Sequence, residues 1–231
     1  DIGIYTTSDG VTPELLMVTE GVTGAGNLAL GPHTISIAAS YTDIATDHQL
    51  LAVVDIGNEL VETDETNNQA LFSGGVFVAD GGKVVVHGGA GIDTVDVDTS
   101  ATLDVTYNGT SYSYTTSAIS GIHIRTHGGN DVVTTDASIT QTMWLFGGSG
   151  DDSLASGSAA DWAHGGAGDD YLDLGLGDDV YYYLPSTASD HGEDTIAEAS
   201  DSNYDTLVLS LSQGAVLDLG ITTSQVVAAG E

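Results

Sequence analysis

From Gly147 to Tyr182 the sequence runs in four contiguous units of nine residues, and no other feature restricts its possible folds so tightly. The units begin at Gly147, Ser156, Gly165 and Leu174. The first reads Gly147-Gly148-Ser149-Gly150-Asp151-Asp152-Ser153-Leu154-Ala155, and the third reads Gly165-Gly166-Ala167-Gly168-Asp169-Asp170-Tyr171-Leu172-Asp173. Aspartate holds position six throughout (Asp152, Asp161, Asp170, Asp179), and an apolar residue holds position eight (Leu154, Ala163, Leu172, Tyr181). A fixed period marks a chain that stacks copies of one small unit. Glycines at positions one, two and four permit φ > 0 and close backbone approach, so each unit is expected to open with a tight turn. The last three residues then form a short strand with the position-eight side chain inward. Two units make one turn of a flattened parallel β-helix, which places Asp152 over Asp170 on one edge and Asp161 over Asp179 on the other.

Carboxylates stacked at the strand spacing of ~4.8 Å repel one another. A cation between successive turns converts that repulsion into bridging, and turn carbonyls supply further oxygens. Six or more oxygens at ~2.4 Å suit calcium, whereas magnesium prefers to keep its waters. The expected ligands are Asp152, Asp170, Asp161 and Asp179. Asp151, Asp169 and Asp178 at position five, and the turn residues Gly148, Gly150, Gly166 and Gly168, join them. The pattern resembles the repeats-in-toxin β-roll, whose unit is Gly-Gly-x-Gly-x-Asp-x-hydrophobic-x. Units one and three match every fixed position. Units two and four depart from it, with Ser156 and Leu174 in place of the first glycine and Ala159 in place of the third. The Asp161–Asp179 edge is therefore expected to bind more weakly. The resemblance implies several calcium ions.

Two outlying units extend the pattern upstream. Gly88-Gly89-Ala90-Gly91-Ile92-Asp93-Thr94-Val95-Asp96 is a full match and His127-Gly128-Gly129-Asn130-Asp131-Val132-Val133 a partial one, which adds Asp93 and Asp131 to the expected ligands. The triplets His87-Gly88-Gly89, His127-Gly128-Gly129, Phe146-Gly147-Gly148 and His164-Gly165-Gly166 start 40, 19 and 18 residues apart. Eighteen to twenty residues is one coil, so the 40-residue gap predicts one coil plus an excursion. Leu103–Tyr107 and Thr110–Tyr114 around Asn108-Gly109 supply it, since Asn-Gly between alternating strands signals a hairpin. Val84–Val86, Ile122–Ile124 and Trp144–Phe146 are expected to stack as rungs. Downstream, Gly192-Glu193-Asp194-Thr195-Ile196, which adds Asp194, and Asn203-Tyr204-Asp205-Thr206-Leu207 read as decayed units. Residues 75–212 are thus read as one parallel β-helix with the β-roll at 147–182, and 213–231 as a cap or linker. His87, His127 and His164 read as a surface ladder, with a transition-metal site as the rival reading; histidines one coil apart rarely converge as ligands must. Tyr181–Tyr183 read as a strand, and Trp144 and Trp162 as core or rim.

Upstream of Ser73-Gly74-Gly75 glycines are scarce. Strands are expected at Ile2–Thr7, Leu15–Thr19, His33–Ser40 and Leu50–Asp55. The stretch Val54-Asp55-Ile56-Gly57-Asn58-Glu59-Leu60-Val61-Glu62-Thr63-Asp64-Glu65-Thr66-Asn67-Asn68 resembles the closing hairpin of the cell-adhesion-related domain of bacteria, an immunoglobulin-like sandwich, and Gly31-Pro32-His33-Thr34-Ile35 also fits. Four strands fall short of the seven or so a sandwich needs. Residues 1–74 are therefore expected to be a partial immunoglobulin-like domain, either truncated or completed by another chain. The expected fold class is all-β, a partial immunoglobulin-like sandwich followed by a right-handed parallel β-helix or β-roll.

Charge bounds the partners. Against 34 acidic residues stand only Lys83 and Arg125, a formal net charge of -32. Nucleic-acid binding, which needs a Lys/Arg footprint, is excluded, and anionic membranes are disfavoured. Such charge destabilises a compact chain unless neutralised. Divalent cations answer that need, and adaptation to a salty medium is the alternative. Cysteine is absent, so metal takes the place of a disulfide staple. No apolar run approaches the ~20 residues of a membrane span. No signal peptide is visible, and Asp1 already lies in strand-like sequence, so the native N-terminus is expected to lie upstream or to have been removed. No zinc-protease, nucleophile-elbow or phosphate-loop motif occurs. The expectation is a secreted or cell-surface, calcium-binding structural or adhesion module without enzymatic activity. Its partners would be calcium, other copies of itself, neighbouring surface proteins or polysaccharide. A fibre subunit joined by strand complementation and a non-catalytic part of a secreted enzyme are the rival readings. A carbohydrate-active enzyme would require a carboxyl pair in a groove away from the glycine turns.

Overall fold

The computed structural model describes residues 2–7, 16–20, 49–54, 69–72, 74–79, 81–183, 192–197, 199, 203–209 and 226–229. It divides into two compact units, Asp1–Ser73 and Gly74–Glu231. Both are all-β, with one short 3-10 turn at Thr116–Ala118.

The first unit holds β1 (Ile2–Thr7), β2 (Leu16–Glu20), β3 (Gln49–Val54) and β4 (Gln69–Leu71), in the sheet order β2-β1-β3-β4. All three pairings are antiparallel. The strand expected at His33–Ser40 and the turn at 55–68 lie outside the described residues. The flanks of that turn do pair, with Leu51 opposite Leu71 and Val53 opposite Gln69.

The second unit alternates between two sheets. The larger contains β5 (Gly75–Ala79), β6 (Lys83–His87), β10 (Gly121–Gly128), β12 (Thr142–Ser149), β14 (Trp162–Ala167), β16 (Val180–Tyr183), β18 (Thr206–Leu209) and β19 (Val226–Ala229). The smaller contains β7 (Thr94–Thr99), β8 (Leu103–Tyr107), β9 (Thr110–Tyr114), β11 (Val132–Thr135), β13 (Ser153–Ala155), β15 (Tyr171–Asp173) and β17 (Thr195–Ala197). From β6 to β19 in one sheet, and from β7 through β11, β13 and β15 to β17 in the other, every pairing is parallel. Parallel neighbours need a crossover connection, and here each sheet supplies the crossover for the other. One core lies between them. Leu154, Ala163, Leu172 and Tyr181, the position-eight residues, are all at most 2% exposed. Val84, Val95, Ile122 and Val133 continue that core upstream.

The antiparallel pairings of this unit lie at its upstream end, where β5 pairs with β6 and β7, β8 and β9 form a meander. The turn between β8 and β9 puts Asn108 at φ 46° and Gly109 at φ 79°, the two positive values of a tight hairpin turn. At the other end β19 pairs with β18, so Val226–Ala229, expected as cap or linker, adds a strand to the larger sheet.

Two expected registers are corrected. The row that starts at His87 continues through Arg125, Phe146 and His164, while His127 pairs with Gly148. The histidine triplets therefore do not align: the second is displaced by two residues, because Thr126 and His127 occupy positions one and two of their coil. His127 sits at φ 71°, in the same left-handed region as its neighbour Gly148. Histidine enters that region more readily than most side chains. The rung that stacks on Ile122–Ile124 is Met143–Leu145, one residue earlier than expected. Met143 and Leu145 are buried and Trp144 faces outward. A one-residue slip would exchange those faces.

Candidate metal centre

The position-six aspartates form two continuous rows. On the first edge Oδ1 of each accepts the main-chain N–H of its counterpart one coil earlier. Asp93 N donates to Asp131 at 2.7 Å, Asp131 N to Asp152 at 2.8 Å, Asp152 N to Asp170 at 2.9 Å and Asp170 N to Asp194 at 2.9 Å. On the second edge Met143 N donates to Asp161 at 2.7 Å, Asp161 N to Asp179 at 2.8 Å and Asp179 N to Asp205 at 3.1 Å. Aspartate suits the place because its short side chain reaches a neighbouring N–H that leaves the ladder at a turn. The coils differ in length: the first-edge steps are 38, 21, 18 and 24 residues. Asp205 was not among the expected ligands. The step of 26 residues from Asp179 takes it out of the nine-residue frame, and its one signal is the run Asp205-Thr206-Leu207, positions six to eight of a unit.

The second oxygen is treated differently. Oδ2 of Asp131, Asp152, Asp161 and Asp170 is buried and accepts no well-formed hydrogen bond. The Gly157 main-chain N–H lies near Asp161. Of the hydroxyls, that of Ser156 lies near Asp161 and that of Thr126 near Asp131. Each has one proton, committed to the Leu174 carbonyl at 2.7 Å and the Gly147 carbonyl at 3.0 Å respectively. The position-one glycine makes the space for this oxygen. A Cβ on Gly147 would strike Oδ2 of Asp152, and one on Gly165 would strike Oδ2 of Asp170. This corrects the expected role of position one. Positive φ occurs at positions two (Gly148, 118°; Gly166, 125°) and four (Gly150, 123°; Gly168, 126°), and not at Gly147 or Gly165. At positions two and four the stack is equally close. The Gly148 carbonyl points at Gly166, and the Gly150 carbonyl at Gly168.

Burial penalises the charged form of these groups. It raises Asp152 to about 7, helped by the neighbouring acids Asp131, Asp170 and Asp151. It raises Asp170 to about 7, with Asp194, Asp151 and Asp169 adding to the effect. Burial likewise takes Asp161 to about 6 and moves Asp131 upward. The position-five acids Asp151, Asp169 and Asp178 are exposed instead. They accept N–H groups from the following coil: Asp169 N at 3.0 Å, Glu193 N at 2.8 Å and Tyr204 N at 2.9 Å. Positions five and six thus tie each turn to both of its neighbours.

Among the described residues no three His, Cys, Asp or Glu side chains gather into one metal-holding group. The carboxylates come as rows, so a cation here draws on successive rungs and on turn carbonyls. Buried, unfilled carboxylate oxygens beside main-chain carbonyls form an all-oxygen donor set, which fits calcium. Nitrogen ligands do not assemble. His87 Nδ1 and His127 Nε2 lie 3.0 Å apart as a hydrogen-bonded pair, and Arg125 and Phe146 separate His87 from His164 in their row. Trp144 and Trp162 lie on the outer face, half-buried, with parallel rings 5.1 Å apart. Among the described residues Asp98 faces Asp104 across β7 and β8, away from the glycine turns. The pair lies on an open sheet face, with Asp98 bound by Thr99 N at 2.6 Å and Asp104 by the Thr102 hydroxyl at 3.1 Å.

The profile of the RTX calcium-binding nonapeptide repeat, a family with four copies of the unit, matches residues 146–181. That repeat is a non-catalytic structural motif, and the cofactor it indicates is calcium. The match covers a minority of the 231 residues and so describes a segment of the chain. No curated protein and no solved structure matches the sequence. Among the described residues no helix is long and apolar enough to cross a membrane.

Proposed function

We propose that the chain is an extracellular structural and adhesion module without catalytic activity, whose right-handed β-roll folds when calcium is supplied. One observation carries the proposal: along the first edge, at coil after coil, a position-six carboxylate (Asp131, Asp152, Asp170) is buried with an oxygen that accepts no well-formed hydrogen bond. Asp131, Asp152, Asp170 and Asp194 would hold ions along the first edge. Asp161, Asp179 and Asp205 would hold them along the second, with carbonyls such as those of Gly148 and Gly150 completing each set. The second edge, with Ala159 at a glycine position, would bind less tightly. Where calcium is scarce the rows repel and the segment stays extended, a form suited to export. Where calcium is abundant the chain folds, because the metal's binding energy becomes folding energy. The N-terminal unit would serve as an immunoglobulin-like spacer or contact module toward other surface proteins, polysaccharide or further copies of the chain.

Calorimetric titration of the chelator-stripped chain with calcium, followed in parallel by far-ultraviolet circular dichroism, tests this reading. Saturable binding with a gain of β signal supports it. Absence of both heat and spectral change removes it.

A further inference from the structure

The head of the first aspartate row is built unlike its middle members, and at the far end the Tyr183 hydroxyl bonds Asp194. Asp131, Asp152 and Asp170 each keep one unfilled oxygen, but Asp93 keeps none. Its Oδ1 accepts the Tyr107 hydroxyl at 2.9 Å and the Asn108 side-chain amide at 2.6 Å, and its Oδ2 accepts Gly89 N–H at 2.7 Å. Asn108 is itself fixed, since its Oδ1 accepts Thr94 N–H at 2.8 Å. Both donors come from the hairpin turn between β8 and β9. β8 lies antiparallel against β7, where a preceding coil would otherwise pair.

From this we infer that Tyr107 and Asn108 cap the row in place of a metal, so that residues 83–128 form a calcium-independent template against which calcium orders the downstream coils. The inference rests on the calcium-binding reading of the downstream aspartates and adds to it a fixed upstream end and a direction.

Three further observations support the template. First, position five at the head is Ile92 and Asn130, where the downstream coils carry Asp151 and Asp169, so the head lacks that second column of charge. Second, the other edge has no aspartate this far upstream: Val84, Ile122 and Met143 occupy the row that Asp161 continues. Third, the head buries more apolar surface per coil. In the smaller sheet β7 is 6 residues long, while β13 and β15 have 3 each. Val84, Val86, Val95, Val97, Ile122 and Ile124 are all at most 1% exposed. The head therefore has the larger hydrophobic term and the smaller repulsion, and its one exceptional carboxylate is satisfied by protein donors.

Hydrogen exchange read by mass spectrometry on the full chain, in excess chelator and in saturating calcium, tests the inference. Peptides within 83–128 should be protected in both conditions and peptides within 147–183 only in calcium. If 83–128 exchanges freely in chelator while 147–183 still responds to calcium, the template is overturned and the calcium reading stands. If 147–183 is equally protected in both conditions, the calcium reading fails and the template with it. The cap is tested by Tyr107→Phe combined with Asn108→Gly, which removes both donors yet keeps a residue that tolerates the positive φ. Exchange within 83–128 in chelator should then quicken roughly 10- to 100-fold, the loss of hydrogen bonds to a buried charge. Unchanged exchange overturns the cap.

Discussion

Asp152 shows how the two oxygens of one carboxylate divide the work. Oδ1 takes the Asp131 N–H and fixes register between coils, while Oδ2 is buried beside Gly147 without a donor. Asp152→Asn keeps the first role and removes the charge from the second. In chelator the variant should retain more β signal than the parent, and in calcium its binding should weaken by about tenfold or more, because affinity follows the number of charged ligands. Circular dichroism in chelator and calorimetric titration with calcium read both signs; a variant with less β signal than the parent in both conditions would contradict the assignment. The glycines give a sharper contrast. At Gly147 an added Cβ strikes Asp152, whereas at Gly91 it meets nothing within 4 Å and the backbone φ is ordinary. Gly147→Ala should lower calcium affinity and the melting temperature in calcium. Gly91→Ala should leave stability unchanged or raise it by about 0.4–1 kcal/mol.

At the scale of the element, stacked carboxylates make each turn edge a pH- and metal-sensitive seam. Two unit charges ~5 Å apart repel by about 3 kcal/mol at an effective dielectric constant of 20. Without metal, Asp152 and Asp170 titrate near 7 and Asp161 near 6 in the folded chain, against an ordinary value of 3.8. A raised folded-state pKa means that folding takes up protons in this window. The stability it contributes is complete below about 4 and disappears as pH rises through 6 to 7. In chelator the roll should therefore retain less β signal at pH 8 than at pH 5. Saturating calcium should reverse the order, since protons compete with the metal. Much of the element-level architecture was legible in the sequence. The nine-residue period implied short strands with inward Leu154, Ala163, Leu172 and Tyr181, and Asn108-Gly109 implied the hairpin. Contacts between distant segments were not legible. Asp93 meets Tyr107 and Asn108 only because β8 folds back on β7, and Asp205 joins its row only after a step of 26 residues. The His-Gly-Gly triplets misled because sequence similarity follows local composition, whereas register follows which side chains can be buried.

For the whole molecule the controlling quantity is a formal net charge of -32. Screening by ordinary salt and bridging by calcium both relieve it, but in different places. Exposed charges are screened within about 3 Å at 1 M salt, and buried ones much less. Asp131, Asp152, Asp161 and Asp170 are all at most 2% exposed, so molar sodium chloride should not replace millimolar calcium in ordering residues 147–183. Equal recovery of β signal in salt alone would favour adaptation to a saline medium as the reason for the acidity. The composition made the sign of the partner legible from the outset. The order of the carboxylate rows depends on coil stacking and emerged only with the structure. The most direct test of the central claim is the thermal unfolding of the full chain in excess chelator and in saturating calcium, followed by far-ultraviolet circular dichroism. The account predicts that chelation removes most β signal from the roll and that calcium restores it with a marked rise in melting temperature. Superimposable spectra and equal melting temperatures in the two conditions would contradict it.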